Sequence, residues 1–193
     1  MDHDIIQFGL YVPPHPHPLL SPGASEGYQR LRDAFDTCRE RIENSDADLI
    51  IVYSTTWPSI IGHQFQANPN SEWVHVDDDF HYLGSMPYSF TMDSVFAEAC
   101  VEKAKERGLQ ARAVNYDAFP IDTGSITALS LLNPDNRIPA TIVSSNMYAN
   151  RSETIVLGKA IRDALTEEKR KAVVVVVSLS LIHISEPTRH SSI

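Results

Sequence analysis

Two continuous apolar runs constrain the fold of this chain more than any other feature. LIIVYS (residues 49–54) and AVVVVV (172–177) have strand length, are rich in β-branched residues and lack the alternation of a half-exposed strand. Such runs suit strands covered on both faces, as in the interior of a parallel sheet. Helical periods lie between and around them. Tyr28, Leu31, Phe35, Cys38 and Ile42 recur at three- and four-residue spacing, with Arg30, Arg32, Asp36, Arg39 and Glu40 largely filling the other face. Met92, Val95, Phe96, Ala99 and Cys100 repeat the pattern over residues 92–107, and Gly108 is placed to end it. Residues 153–165 read as a further amphipathic helix and 126–132 as a short one, with strands expected at 5–12, 111–114 and 139–144. The alternation predicts an α/β fold with a mainly parallel central sheet flanked by helices. Residues 55–89, rich in Pro, Asn, His and Asp, show no clear period and are expected to form a long functional or irregular loop.

A chain of 193 residues can bury one real core, and its 42% apolar and 21% charged content fits a folded domain. A formal net charge of −9 would repel nucleic-acid phosphates and anionic lipid, which leaves small molecules and other proteins as expected partners. Cys38 and Cys100 fall at buried helical positions and belong to no CxxC, so reduced thiols are expected. The start MDHDIIQFGL has no basic leader region and no run reaches membrane-spanning length, which predicts a cytoplasmic protein.

In open α/β sheets the working groups collect on loops beyond the carboxyl ends of strands. Four segments fit: PPHPHP (13–18), STTWPS (54–59), YDAFPIDTG (116–124) and SSNMYAN (144–150). From the residues alone, His15 and His17 read either as metal ligands or as exposed side chains of a proline-stiffened loop, and the second reading is favoured.

Taken in order, and with GHQF (62–65) added, these segments resemble the class III extradiol ring-cleavage dioxygenases. That superfamily includes the protocatechuate 4,5-dioxygenase beta subunit and the Memo-like proteins, and within it the motifs are similar to the subunits of 2-aminophenol 1,6-dioxygenase. The resemblance runs from residue 5 to residue 177. It implies a non-haem Fe(II) held by two histidines and one carboxylate, with open positions for dioxygen and an aminophenol- or catechol-type ring. His15 matches the first histidine ligand, and His17, Trp57, His63 and Asp122 are expected to line the pocket. Two positions depart from the catalytic pattern. Thr56 stands where catalytic members place the second histidine ligand, directly before the tryptophan, and a neutral hydroxyl is a poor donor to Fe(II). Thr123 stands at the acid–base position, between Asp122 and Gly124, where catalytic relatives carry His or Tyr; its hydroxyl is far too weak an acid. Asp122 is expected to cap a helix starting near Ser125, and Gly124 to relax the turn. His63 could replace the missing ligand only if its loop refolded.

The resemblance therefore implies an alpha-type subunit that lacks a complete iron site and holds Fe(II) loosely at best. Its expected partner is a homologous catalytic subunit, in a hetero-oligomer. The alternatives are an active dioxygenase with an unusual iron site and a Memo-like binding protein without oxygen chemistry. The family's carboxylate ligand is expected beyond residues 172–177. Instead LIHISEPTR and its surroundings resemble translated sequencing adapter, so residues 1–178 are expected to be a truncated dioxygenase-like domain and 179–193 a non-native tail. Pro187 argues against a helix that would join His183 and Glu186 as ligands. A final strand stripped of its cover would leave VVVVV as an aggregation hazard.

Overall fold

The structure, a computed structural model, describes residues 5–178. In chain order its elements are β1 (Ile6–Val12), α1 (His17–Leu20), α2 (Glu26–Glu43), β2 (Leu49–Ser59), β3 (His63–Gln66), β4 (Asn70–His75) and β5 (Met86–Thr91). They continue with α3 (Ser94–Glu106), β6 (Ala111–Val114), α4 (Thr123–Leu132), β7 (Ala140–Asn146), α5 (Arg151–Glu167) and β8 (Ala172–Val177). Six strands form one sheet in the order β1, β8, β2, β7, β3, β6, parallel except where β3 meets β7. The fold is the α/β arrangement that the strand and helix alternation predicts.

The apolar runs are explained by burial from both sides. Along β2, Ile50 and Val52 enter a core with Phe35 and Ile42 of α2 and Ile126 and Leu129 of α4. Leu49 and Ile51 enter the opposite core, with Phe96 and Cys100 of α3 and Leu157 and Leu165 of α5. The two cysteines thus lie on opposite faces of the sheet. Both are free thiols, and burial pushes the Cys100 thiol far above its ordinary range, so it stays protonated.

β8 is not the strand stripped of its cover that the truncation suggests; it lies inside the sheet, as its unbroken apolar run predicts. It is paired on both sides, with β1 and with β2, and Val173, Val175 and Val177 are fully buried against α2 and α4. Only Val174 and Val176, on the other face, stay half-buried. The VVVVV segment is therefore an internal strand here, protected by its two neighbours.

Residues 55–89 also differ from the expected loop. β2 continues to Ser59, β3 adds a sheet strand, and β4 and β5 make a separate antiparallel hairpin with His75 opposite Met86 and Trp73 opposite Tyr88. The hairpin is anchored by one face of β5: Met86, Tyr88 and Phe90 are buried beside α4, while Pro87, Ser89 and Thr91 face out. β4 buries little, and Trp73 and Val74 remain exposed. The hairpin thereby lays the end of β4 beside the amino terminus of α4.

No helix among the described residues is long and apolar enough to cross a membrane. His183 and Glu186 lie outside the described residues.

Candidate functional site

The carboxyl ends of β1, β2 and β8 meet the first turn of α4, and Gly124 marks the closeness of the approach. A methyl group built there would sit 2.5 Å from Val177, 2.8 Å from the Thr56 hydroxyl and 2.9 Å from Pro14. Gly124 does not relax a turn, since it lies inside α4 and has no positive φ. It is glycine because three neighbouring segments leave no room for a side chain.

Asp122 binds these segments together. Its Oδ1 accepts the Ser125 N–H at 2.9 Å, which caps α4 where the sequence places a cap. The same oxygen accepts the Thr56 hydroxyl at 2.5 Å and the Ser54 hydroxyl at 3.0 Å. Thr56, at the family's second-ligand position, is thus committed to a hydrogen-bond cluster.

Beside this cluster a cleft of about 420 Å³ opens, lined by Pro14, His15, Thr56, Asp122 and Thr123 from the loops the sequence singles out. The other wall comes from the hairpin: His75, Asp77, Asp78, Asp79 and Phe80. Thr123 Oγ1 lies 2.9 Å from His75 Nε2 and donates a short hydrogen bond to Asp77 Oδ2. Because that hydroxyl proton goes to Asp77, His75 Nε2–H is the donor to Thr123, which fixes the imidazole tautomer. Burial works against ionisation of Asp77, but the Thr123 hydroxyl, the Phe80 and Asp79 N–H groups and nearby His75 outweigh it and hold the carboxyl below its ordinary range.

The sequence-selected residues separate. His15, Thr56, Asp122 and Thr123 share the cleft. His15 is half-buried against the Phe80 ring, with centroids 5.6 Å apart. His17 is buried outside the cleft lining, stacked on Tyr28 at 4.2 Å and edge-on to Phe80 at 5.0 Å. The exposed-loop reading of these two histidines therefore fails, because Phe80 and Tyr28 cover them. Burial, and then His15, pushes the His17 imidazole below its usual pKa. Trp57 turns away from the cleft to pack on Phe119 with centroids 5.7 Å apart.

His63 is the furthest displaced from expectation, because it begins the sheet strand β3 and no loop carries it to His15. It is completely buried, with Nε2 at 3.3 Å from Glu153 Oε1. The contact is within ion-pair distance but is not aligned as a hydrogen bond, and neither ring nitrogen has another partner. Burial outweighs the Glu153 carboxylate and lowers the His63 pKa from 6.5. The unfolded chain therefore binds this proton more readily than the folded one. The His63 contribution is expected to be complete above pH 6.5 and to be lost progressively as the pH falls from there towards the folded value. Urea denaturation between about pH 5 and 8 should show that fall, and His63→Gln should flatten it.

The iron that the resemblance implies meets a poor donor set. Among the described residues no three His, Cys, Asp or Glu side chains are grouped to hold a metal ion. The Thr56 hydroxyl, the remaining position of the expected pair, is occupied by Asp122. The described residues do not fit a three-ligand iron centre.

The chain thus carries a cleft at the carboxyl ends of a mostly parallel sheet. It is a member of the family described as the catalytic LigB subunit of aromatic ring-opening dioxygenase, matched over residues 9–192. It is 31% identical over 166 residues to the 2-aminophenol 1,6-dioxygenase alpha subunit of Pseudomonas sp, which covers 86% of this chain and 60% of that one. With the corresponding beta subunit it shares 30% identity over 178 residues, covering 84% and 58%. The 3,4-dihydroxyphenylacetate 2,3-dioxygenase of Escherichia coli is 24% identical over 165 residues, covering 84% and 59%. The chain thus spans about three fifths of the length of these relatives. An uncharacterized protein, JW3007, from Escherichia coli K12 shares the fold, with a TM-score of 0.53 and 19% identity over 74% of this chain and 51% of that one.

His75, Asp77 and Phe80 are the site residues that sequence reading missed. The available signal was the alternation of Met86, Tyr88 and Phe90, which identifies β5 and hence a hairpin partner for residues 70–75.

Proposed function

We propose that this chain is the alpha-type, non-cleaving subunit of an aromatic ring-opening dioxygenase acting on an aminophenol-type ring, and that it works beside a homologous catalytic subunit. The observation that carries the reading is the Thr56 to Asp122 hydrogen bond at 2.5 Å. It turns the second-ligand position into a structural tie between β2 and α4, and Thr123 at the acid–base position is likewise bound to a carboxylate. Similarity to both an alpha and a beta subunit supports a partner of the same family. The exposed side chains Ile60, Ile61, Met147 and Tyr148, gathered where Met147 N–H bonds to Ser59 O, are consistent with a protein partner.

The test is anaerobic loading of the purified chain with Fe(II), followed by metal analysis and an assay with 2-aminophenol and dioxygen. The expected result is substoichiometric iron and no ring cleavage. Stoichiometric iron with sustained cleavage by this chain alone would overturn the proposal. Co-purification with a related subunit that carries His directly before its Trp would support the assembly.

A further inference from the structure

The cleft holds an imidazole that the family pattern does not place there. The resemblance implies that the acid–base side chain of catalytic members stands at the start of α4, where this chain has Thr123. Here the hairpin brings His75 to the same spot from the opposite wall, with Nε2 at 2.9 Å from the Thr123 hydroxyl. Thr123 accepts from His75 and donates to Asp77, so the imidazole is oriented at one nitrogen only. Among the described residues Nδ1 makes no hydrogen bond, and in a neutral imidazole whose Nε2 holds the hydrogen it carries the lone pair. The half-buried ring lines the open cleft, and Nδ1 of the neutral ring can accept a hydroxyl or amino hydrogen.

Charge narrows what can approach. The Asp77–Asp79 run and Asp122 line the cleft, and among the described residues no Lys or Arg does. Asp77 is held ionised by the donors around it. A ring bearing its own carboxylate would be brought against these groups with no cation to receive it. A ring bearing only hydroxyl or amino groups meets acceptors on the carboxylates and on His75, with the Phe80 ring as an apolar wall.

We propose that His75 is the ligand-recognising residue of this cleft, accepting a hydrogen bond from the hydroxyl or amino group of an aromatic molecule that carries no carboxylate. Thr123 and Asp77 are positioning residues that hold its tautomer. The proposal rests on the alpha-type reading only for the absence of turnover, since recognition is independent of cleavage.

Equilibrium binding separates the two. Calorimetric titration of the whole chain with 2-aminophenol, and with its carboxylated analogue 2-amino-3-hydroxybenzoate, is done without oxygen and repeated on variants whose thermal melts match the parent. Saturable 2-aminophenol binding is expected, with the analogue at least about tenfold weaker. His75→Ala should weaken 2-aminophenol by about tenfold, the loss of one hydrogen bond, and His75→Gln should recover part of it through its amide oxygen. Asp77→Asn with Asp78→Asn and Asp79→Asn should narrow the gap between the two ligands. No saturable binding, unchanged affinity in both His75 variants, or equal affinity for the carboxylated analogue would each overturn the proposal. Ring cleavage by this chain would overturn the alpha-type reading and leave His75 recognition standing.

Discussion

Gly124→Ala is expected to cost about 1–3 kcal/mol or more, because the added methyl meets atoms at 2.5, 2.8 and 2.9 Å on three separate segments. None of the three can give way cheaply. Val177 is fully buried at the end of a strand paired on both sides, Pro14 has a rigid ring, and the Thr56 hydroxyl is tied to Asp122. In a domain of this size the loss should appear as a fall of several degrees in melting temperature, at about 2–4 °C per kcal/mol. Gly158→Ala is the control. Gly158 is exposed inside α5 and nothing approaches its would-be methyl within 4 Å, so alanine there should stabilise by about 0.5–1 kcal/mol. Equal effects of the two substitutions, in sign and size, would show that the convergence at Gly124 is wrong.

Asp122→Ala should cost about 2–4 kcal/mol in urea denaturation. The helix cap contributes roughly 1 kcal/mol of this, and the remainder comes from two hydroxyls, on Ser54 and Thr56, left beside a vanished acceptor. All three donors go to Oδ1, while Oδ2 is buried without a partner. Asp122→Asn keeps an acceptor for the three donors but buries an amide N–H₂ where Oδ2 stood. It should therefore fall between the parent and Asp122→Ala. Thr56→Val in the Asp122→Ala background should cost less than in the parent, since the hydroxyl has already lost its main acceptor. Strict additivity would argue against a shared cluster.

The sheet and its helices were legible because burial leaves a periodic signature. β2 and β8 read as strands from their unbroken apolar runs, and α2, α3 and α5 from three- and four-residue spacing. Asp122 was legible as a cap because capping is local. What lay hidden depended on pairing. β4 exposes Trp73 and Val74 and so has no buried period, and its course is set by β5 across the hairpin. His75 and Asp77 acquire their role only when Met86, Tyr88 and Phe90 pin that hairpin beside α4. Gly124 was legible as a necessary glycine, but for the wrong reason: the crowding comes from residues distant in sequence. His63 was misplaced because a short motif carries no information about which strand lies beside it.

The position of β8 has a consequence for how the molecule is made. Among the described residues β1 pairs with no strand except β8, and β2 reaches β1 only through it, so Ile6 waits for Ala172 and Val12 for Val177. During synthesis the ribosome releases α2, the hairpin and the other helices while the first strand still has open backbone on both sides. The sheet takes up β1 when β8 inserts between it and β2, and contacts between such distant residues form slowly. Until then the nascent chain carries unpaired apolar strand edges, the substrate that chaperones hold and that aggregation consumes.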